Sequence, residues 1–429
     1  MGRLILLLII ILTGFTIFYA PWATGISYVI NSLLQPQYVW PWVFQGIPIF
    51  TITAGLTIIA FIISLAQKKI DLKIYNEKQN WIILIIWVWM HLSDLLSPYK
   101  GEVVSVAPEI VLGTIDSILI MYFILLPILN NEKGLKYLCY SFIFVGGYYI
   151  YWANSAYINQ EWHRFSNNRL TGPFRSPYAD ENALSALIVV CMPFLILLFF
   201  RIKNKALKFA IAISVPLSWH AIILFSSRSS LLASVLSLLV MAFVIKSKKA
   251  YLIIAGFFIG FIIYQGSLIL DRATSTIEIA KFETEKPINP RLISWEAGLR
   301  LIPEYPVFGA GVQMFEVAVR DHFPGMTPHV AHNTFINFSA NTGILTGLLF
   351  LGLVYLPWRR LHKAKNYKAS FADVDYYAMM ASSISMVGFF VCSMFLDLIV
   401  FEPFYIILII NLIAWRSLNA RLKDSGGKN

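Results

Sequence analysis

Charge is scarce in this 429-residue sequence: 13% of the residues are Asp, Glu, Lys or Arg, 58% are hydrophobic, and the mean hydropathy is +0.68. A soluble domain has too little interior to hide that much apolar surface. The composition therefore excludes one and predicts an all-α polytopic membrane protein. Cysteine is nearly absent as well. Cys139, Cys191 and Cys392 lie far apart within apolar runs, which excludes a disulfide framework and leaves them as small packing residues. The sequence has no P-loop, no dinucleotide fingerprint and no Gly-x-Ser-x-Gly elbow.

What is present is a series of long apolar runs. They fall near 4–20, 46–66, 81–97, 103–128, 137–153, 178–200, 207–226, 229–246, 250–270, 332–356, 376–397 and 402–418, about twelve helices in one integral membrane domain spanning 1–429. The run 26–34 is too short to cross and reads as re-entrant or interfacial. The opening "MGRLILLLIIILTGFTIFYA" has the form of a signal peptide, but in so apolar a chain it reads as a retained first helix.

The net charge of +11 is concentrated in short linkers such as "AQKKIDLKIYNEK", "RIKNKALK", "KSKKA" and "WRRLHKAKNYK". Alternate loops carry them, the positive-inside pattern, so both termini are expected in the cytoplasm and no nucleic-acid partner is expected. The other side is chemically different. It holds Lys100, Lys281 and Lys286 against Arg164, Arg169, Arg175, Arg228, Arg272, Arg291, Arg300 and Arg320. Topology has no need of arginine in particular, whereas a guanidinium fork matches phosphate and stays charged when partly desolvated. An anionic ligand is expected on that face, where two loops are long enough to build a site: 154–177, and 271–331 between the ninth and tenth helices.

Within the long loop, Pro290 suits a helix start. Leu292, Trp295, Leu299 and Ile302 then recur at helical spacing, giving a short amphipathic helix at the outer interface with Arg291 and Arg300 on its other side. Arg228 sits in "LFSSRSSLLASVL", in a hairpin so tight that its charge is held at the membrane surface among serines. His332 opens the tenth span. Asn333, Asn337 and Asn341 follow at i, i+4 and i+8, predicting one polar helix face for about 12 Å into the bilayer. Groups at that depth face a bundle or a wet cavity. Asp397, in "CSMFLDLIVFEPF", ends the eleventh span and is a candidate to orient a histidine. His322, His329 and His332 are close in sequence, but carboxylates to complete a metal site are sparse there and Pro328 interrupts the local helix.

Four segments, "RLTGPFRSPYADENALSALIVVCMP", "FSSRSSLLASVLSL", "RLISWEAGLRLIPEYPVFGAG" and "HNTFINFSANTGILTGLLFL", resemble in order and spacing the O-antigen ligase superfamily, which includes O-antigen polymerases and O-oligosaccharyltransferases. The resemblance is good over about 165–360. It departs at "SPYADENAL", where relatives often have Pro-Asn. It implies a glycosyltransferase of the Gram-negative inner membrane, multi-pass, with its site facing the periplasm. The implied donor is a glycan on undecaprenyl pyrophosphate, the acceptor a sugar hydroxyl of lipid A–core, and both meet the protein among membrane lipids. The resemblance further implies inversion at the anomeric carbon without metal or cofactor. By motif, the essential histidine falls on His332 and the two key arginines on Arg228 and Arg291, with Arg169 and Asp397 as weaker matches. Arg300, Asn333 and Asn337 complete the expected binding set.

The same residues allow other readings. A polymerase or a protein O-glycosylation ligase would use the same donor. A lipid-linked sugar flippase would instead route substrate or protons along His91, Asp94, Glu109, Asp116 and His220, although the arginines gather at one surface and no internal repeat is evident.

Overall fold

The computed structural model describes residues 8, 11–44, 46–245, 251–252, 255–256, 259, 290–326, 330–364 and 371–426. The described residues are mostly helical. After Pro21–Leu34 (α1) come two single turns, Pro36–Val39 (α2) and Pro41–Phe44 (α3), then Ile49–Ala66 (α4), Lys78–Leu95 (α5), Pro108–Ile128 (α6) and Glu132–Ile158 (α7). Glu181–Arg201 (α8), Lys205–Leu224 (α9) and Arg228–Ile245 (α10) follow. Beyond residue 289 lie Pro290–Glu304 (α11), Phe315–His322 (α12), Thr334–Thr342 (α13), Ile344–Ala364 (α14), Val374–Ser393 (α15) and Glu402–Gly426 (α16).

Among the described residues, 8 helices are long and apolar enough to cross a membrane: α4, α6, α8, α9, α10, α14, α15 and α16. Of the run expected near 4–20, residues 8 and 11–20 are described and 11–16 are helical, whereas the run near 250–270 falls largely outside the described residues. Those near 81–97 and 137–153 are helices of 18 and 27 residues (α5 and α7) whose polar side chains keep them out of that group. The run 26–34 belongs to the 14-residue α1, whose Tyr28, Val29 and Leu33 are fully buried.

Local chemistry sets the helix starts. Asn131, Asp180, Asn204, Asn333 and Asp373 each accept a hydrogen bond from a backbone N–H of the first turn that they cap. Asp180 does so within the "ADENAL" departure, which gives that stretch a structural role. Helix α8 is apolar all round and buried without a gap from Leu184 to Leu198, as expected of a central helix. All three cysteines are buried and free. Gly146 of α7 comes so close to Cys191 of α8 that an added Cβ would lie 2.5 Å from the cysteine Cβ, small residues letting two helices approach.

Ion pairs and hydrogen bonds sort the helix ends into two groups. Arg416 pairs with Asp71 at 2.9 Å, Arg421 with Asp373 at 2.6 Å and with Asp375 at 2.5 Å, and buried Arg360 donates to Gln79 and Asn411. These joints tie α5, α14, α15 and α16 at the end where the Lys-rich linkers lie. The opposite ends of the same helices gather around Asp397.

The tenth span is not continuous. It breaks at Gly343 (φ 90°) into α13 and α14. The polar Asn face therefore belongs to α13 alone and does not run down a spanning helix, which corrects the expectation. The Thr334 hydroxyl donates to Leu396 O beyond the end of α15, and Ser93 in the last turn of α5 donates to Asn341 O. Helix α13 thus bridges the ends of two other helices. The segment 306–311 docks on the break: Ala310 N and Gly311 N donate to Ala340 O and Asn341 O at 2.8 and 2.9 Å, and Ile344 N donates to Pro306 O. These bonds satisfy backbone groups that a broken helix leaves orphaned.

Candidate functional site

Three helices converge on residues 392–398, the end of α15 and the turn after it. The Ser230 hydroxyl of α10 lies 3.9 Å from Cys392 Sγ. The Trp295 ring of α11 packs on Phe395 with centroids 5.9 Å apart. Thr334 of α13 donates to Leu396 O and accepts from Leu398 N, at 2.8 and 3.0 Å. The Asn337 amide donates to the Asp397 carboxylate. Because Arg228 lies two residues before Ser230, Arg291 four before Trp295 and His332 two before Thr334, this turn brings together the N-terminal ends of three helices. Positive helix dipole ends add to the two guanidinium charges there.

Arg228 is the first residue of α10 and is exposed, and among the described residues nothing pairs with it. Its neighbours Ser227, Ser229 and Ser230 are buried and bonded to one another. Arg291 is exposed in the first turn of α11. His332 is half-buried, with a left-handed backbone (φ 46°) immediately before the capping residue of α13. Such a conformation is uncommon outside glycine and is held by surrounding structure at functional sites.

The other expected ligands are committed elsewhere. Arg169 sits in a two-residue hairpin, Phe165–Ser166 (β1) against Arg169–Leu170 (β2). Its guanidinium is paired with Glu181 at 2.5 Å and donates to Asn182 Oδ1 and Phe225 O, stapling the 154–177 loop to the corner that carries Arg228. Arg300 is bound to Glu296 one turn back. It stands nine residues from Arg291, which puts the two on opposite faces of α11 roughly 13 Å apart along the axis. The single face expected for both does not exist. Leu292 and Leu299 point outward at 53% and 57% exposure, while Ser294, Ala297 and Leu301 face the fold. The Asn333 side chain caps α13 by accepting from Ile336 N at 3.1 Å.

The asparagine spacing does form a connected line. Asn341 donates to Asn337, and Asn337 donates to Asp397. The described hydrogen bonds of Asp397 come from Asn337 and from Ile399 N at 3.5 Å. Burial pushes its carboxyl up from the ordinary 3.8 to about 6, the two hydrogen bonds opposing that rise. A carboxylate so placed changes charge near neutral pH.

Residues 213–351 match the family model described as O-antigen ligase. Over that segment the chain is similar to the O-antigen ligase superfamily. No curated protein matches the chain. The matched segment includes Arg228, Arg291, Arg300, His332, Asn333 and Asn337, while Arg169 and Asp397 lie outside it on either side. Asp397 meets the matched segment through the fold, by way of Asn337.

Glu402 is a feature of this site that the sequence alone did not single out. Glu402 lies five residues after Asp397 and accepts from the Tyr28 hydroxyl at 2.9 Å and from the Ser32 hydroxyl. Four of the five residues suggested for a transport path fall into separate pairs. His91 binds Asp116 at 2.8 Å, Asp94 lies 3.7 Å from Lys100, and His220 contacts Asn154 at 2.7 Å. His322 contacts Tyr305 at 2.8 Å, and His329 lies outside the described residues.

Proposed function

We infer that this protein transfers a glycan from undecaprenyl pyrophosphate to a sugar hydroxyl of lipid A–core at the periplasmic face of the inner membrane. The observation that carries this reading is the convergence of Arg228, the Arg291-bearing helix and His332 on the turn that holds Asp397. The partition of arginine from lysine along the chain supports the sidedness.

In this mechanism, His332 accepts the proton of the acceptor hydroxyl as its oxygen attacks the anomeric carbon of the donor. The new C–O bond forms on the face opposite the leaving group, so configuration inverts. The bond from the anomeric carbon to the pyrophosphate oxygen breaks, and undecaprenyl pyrophosphate departs with the electron pair. Arg228 and Arg291 take up the charge growing on that pyrophosphate, a task suited to forked donors at a membrane surface. Asp397 and Asn337 stabilise the turn on which the histidine segment rests. No step is assigned to a metal.

The test is turnover by purified protein supplied with lipid-linked glycan and lipid A–core, read by product mass. His332→Ala is expected to lose on the order of 10²–10⁴-fold in rate while still binding donor. Full activity in the folded variant, or wild-type activity abolished by EDTA and restored by added metal, refutes the histidine-base mechanism. A new covalent product in detergent also separates this reading from a flippase, which makes none.

A further inference from the structure

The Asp397 turn also walls a cavity of about 790 Å³, which shares Gln37, Tyr38, Ile47 and Pro48 with a second cavity of about 810 Å³. Their linings differ. Among the described residues, the cavity at Asp397 is lined by three carboxylates, Asp397, Glu402 and Glu109, and by neither lysine nor arginine. Glu402 is held in place by the hydroxyls of fully buried Tyr28 and Ser32, and a carboxylate has acceptor capacity for more than these two donors. The neighbouring cavity is aromatic. Tyr38, Trp42, Phe44 and Phe174 line it, with Trp42 at 67% and Phe174 at 79% exposure, and Arg175, the cation among its described lining residues, lies over the Phe174 ring.

At the junction, Gln37 lines both cavities. Its Oε1 is shielded from solvent and has no hydrogen-bond partner among the described residues, while its Nε2 donates to Gln35. A buried acceptor left unpaired costs free energy until a donor reaches it. An acidic wall free of cations repels phosphate, so this is no place for a pyrophosphate. Carboxylates and an orphan amide oxygen accept from hydroxyl and ammonium groups, and flat apolar rings suit the C–H faces of sugars.

We propose that the joined cavities bind the acceptor glycan as a run of uncharged or amino sugars. The reacting sugar lies beside Asp397 and Glu402, and later sugars lie over Trp42 and Phe174. The assignment of this glycan as acceptor rests on the transferase reading above. The binding of saccharide does not. Donor and acceptor then reach the Asp397 turn from opposite sides, one sorted by arginines and the other by carboxylates. A phosphorylated sugar is excluded from the inner cavity.

Saturation-transfer NMR on the purified full-length protein tests the site directly, with chitotriose and glucosamine 6-phosphate as probes. Wild type is expected to saturate chitotriose and to give at least fivefold less signal with the phosphate. The Trp42→Ala/Phe174→Ala double variant is expected to lose chitotriose signal at least fivefold, and Glu109→Lys to gain signal with the phosphate. In turnover assays the double variant is expected to raise acceptor KM at least fivefold with donor KM unchanged. Chitotriose unbound by wild type, chitotriose signal unaltered in the double variant, or a rise confined to donor KM overturns the proposal. Chitotriose bound here by a protein that transfers no glycan supports the saccharide site and overturns the transferase reading instead.

Discussion

Replacing Asp397 by asparagine should make the protein more stable and less active, and the pH at which the stability gain appears is set by the fold. Burial raises the carboxyl from 3.8 to about 6, so the folded protein holds a proton there that the unfolded chain has already released. Ionising the group in the folded state therefore costs stability. That cost is absent below about pH 4, grows between about 4 and 6, and is complete above about 6. At about 1.36 kcal/mol per unit, its upper bound is about 3 kcal/mol, lowered by solvent because the side chain is only half-buried. The introduced amide keeps an acceptor for Asn337 but weakens the long contact with Ile399 N, at a cost of about 1 kcal/mol or less. The net gain at pH 7.5 is then about 1–2 kcal/mol, a rise in Tm of roughly 2–3 °C. Thermal unfolding of detergent-solubilised wild type and Asp397→Asn from pH 4 to 8 measures it, with turnover followed alongside. Turnover at pH 7.5, where the wild-type carboxylate is formed, should be lower in the variant. A Tm difference that is the same at every pH, or a variant less stable at pH 7.5, refutes the reasoning.

If Arg228 and Arg291 hold pyrophosphate through forked donors, Arg228→Lys and Arg291→Lys should both turn over at least tenfold more slowly, since lysine keeps the charge and loses bidentate geometry; near-normal rates reduce them to generic cations. Arg169→Lys should lower Tm with donor KM unchanged, because Arg169 bonds Glu181, Asn182 and Phe225 O, and a raised donor KM instead puts Arg169 at the substrate. Gly343→Ala should cost well over 1 kcal/mol, as φ is 90° and the added Cβ would lie 2.0 Å from Val307 O, whereas Gly352→Ala, in open space within α14, should be neutral or stabilising by up to about 1 kcal/mol; thermal stability of the pair decides it. Reporters fused after Asn168 and after Asn204 should report opposite sides of the membrane, periplasmic and cytoplasmic, and the same side for both breaks the topology.

Local periodicity carried a good deal of this protein. Long apolar runs dictate membrane helices whatever they later pack against, because a buried backbone in lipid must bond within its own segment. Pro290 marked the start of α11, and the i, i+4 asparagines marked a hydrogen-bonded line, since residues one turn apart on a helix meet regardless of tertiary context. The pairing of Lys-rich linkers against Arg-bearing loops was legible for the same reason, as each belongs to a short stretch of chain.

The fold decided what depends on partners far away in the chain. Arg169, Arg300, Arg228 and Arg291 look alike as letters. The first two are neutralised by Glu181 and Glu296, while Arg228 and the Arg291 helix are carried to the Asp397 turn by contacts with Cys392 and Phe395. The unbroken run of apolar residues after His332 hid the break at Gly343, because the amides that satisfy it come from Ala310 and Gly311, some thirty positions earlier. Glu402 became part of a cavity only when Tyr28 and Ser32, more than 300 residues away in sequence, closed over it. A helix's pattern is written within its own few turns, whereas the environment that charges, neutralises or exposes a side chain is made by whatever packs beside it.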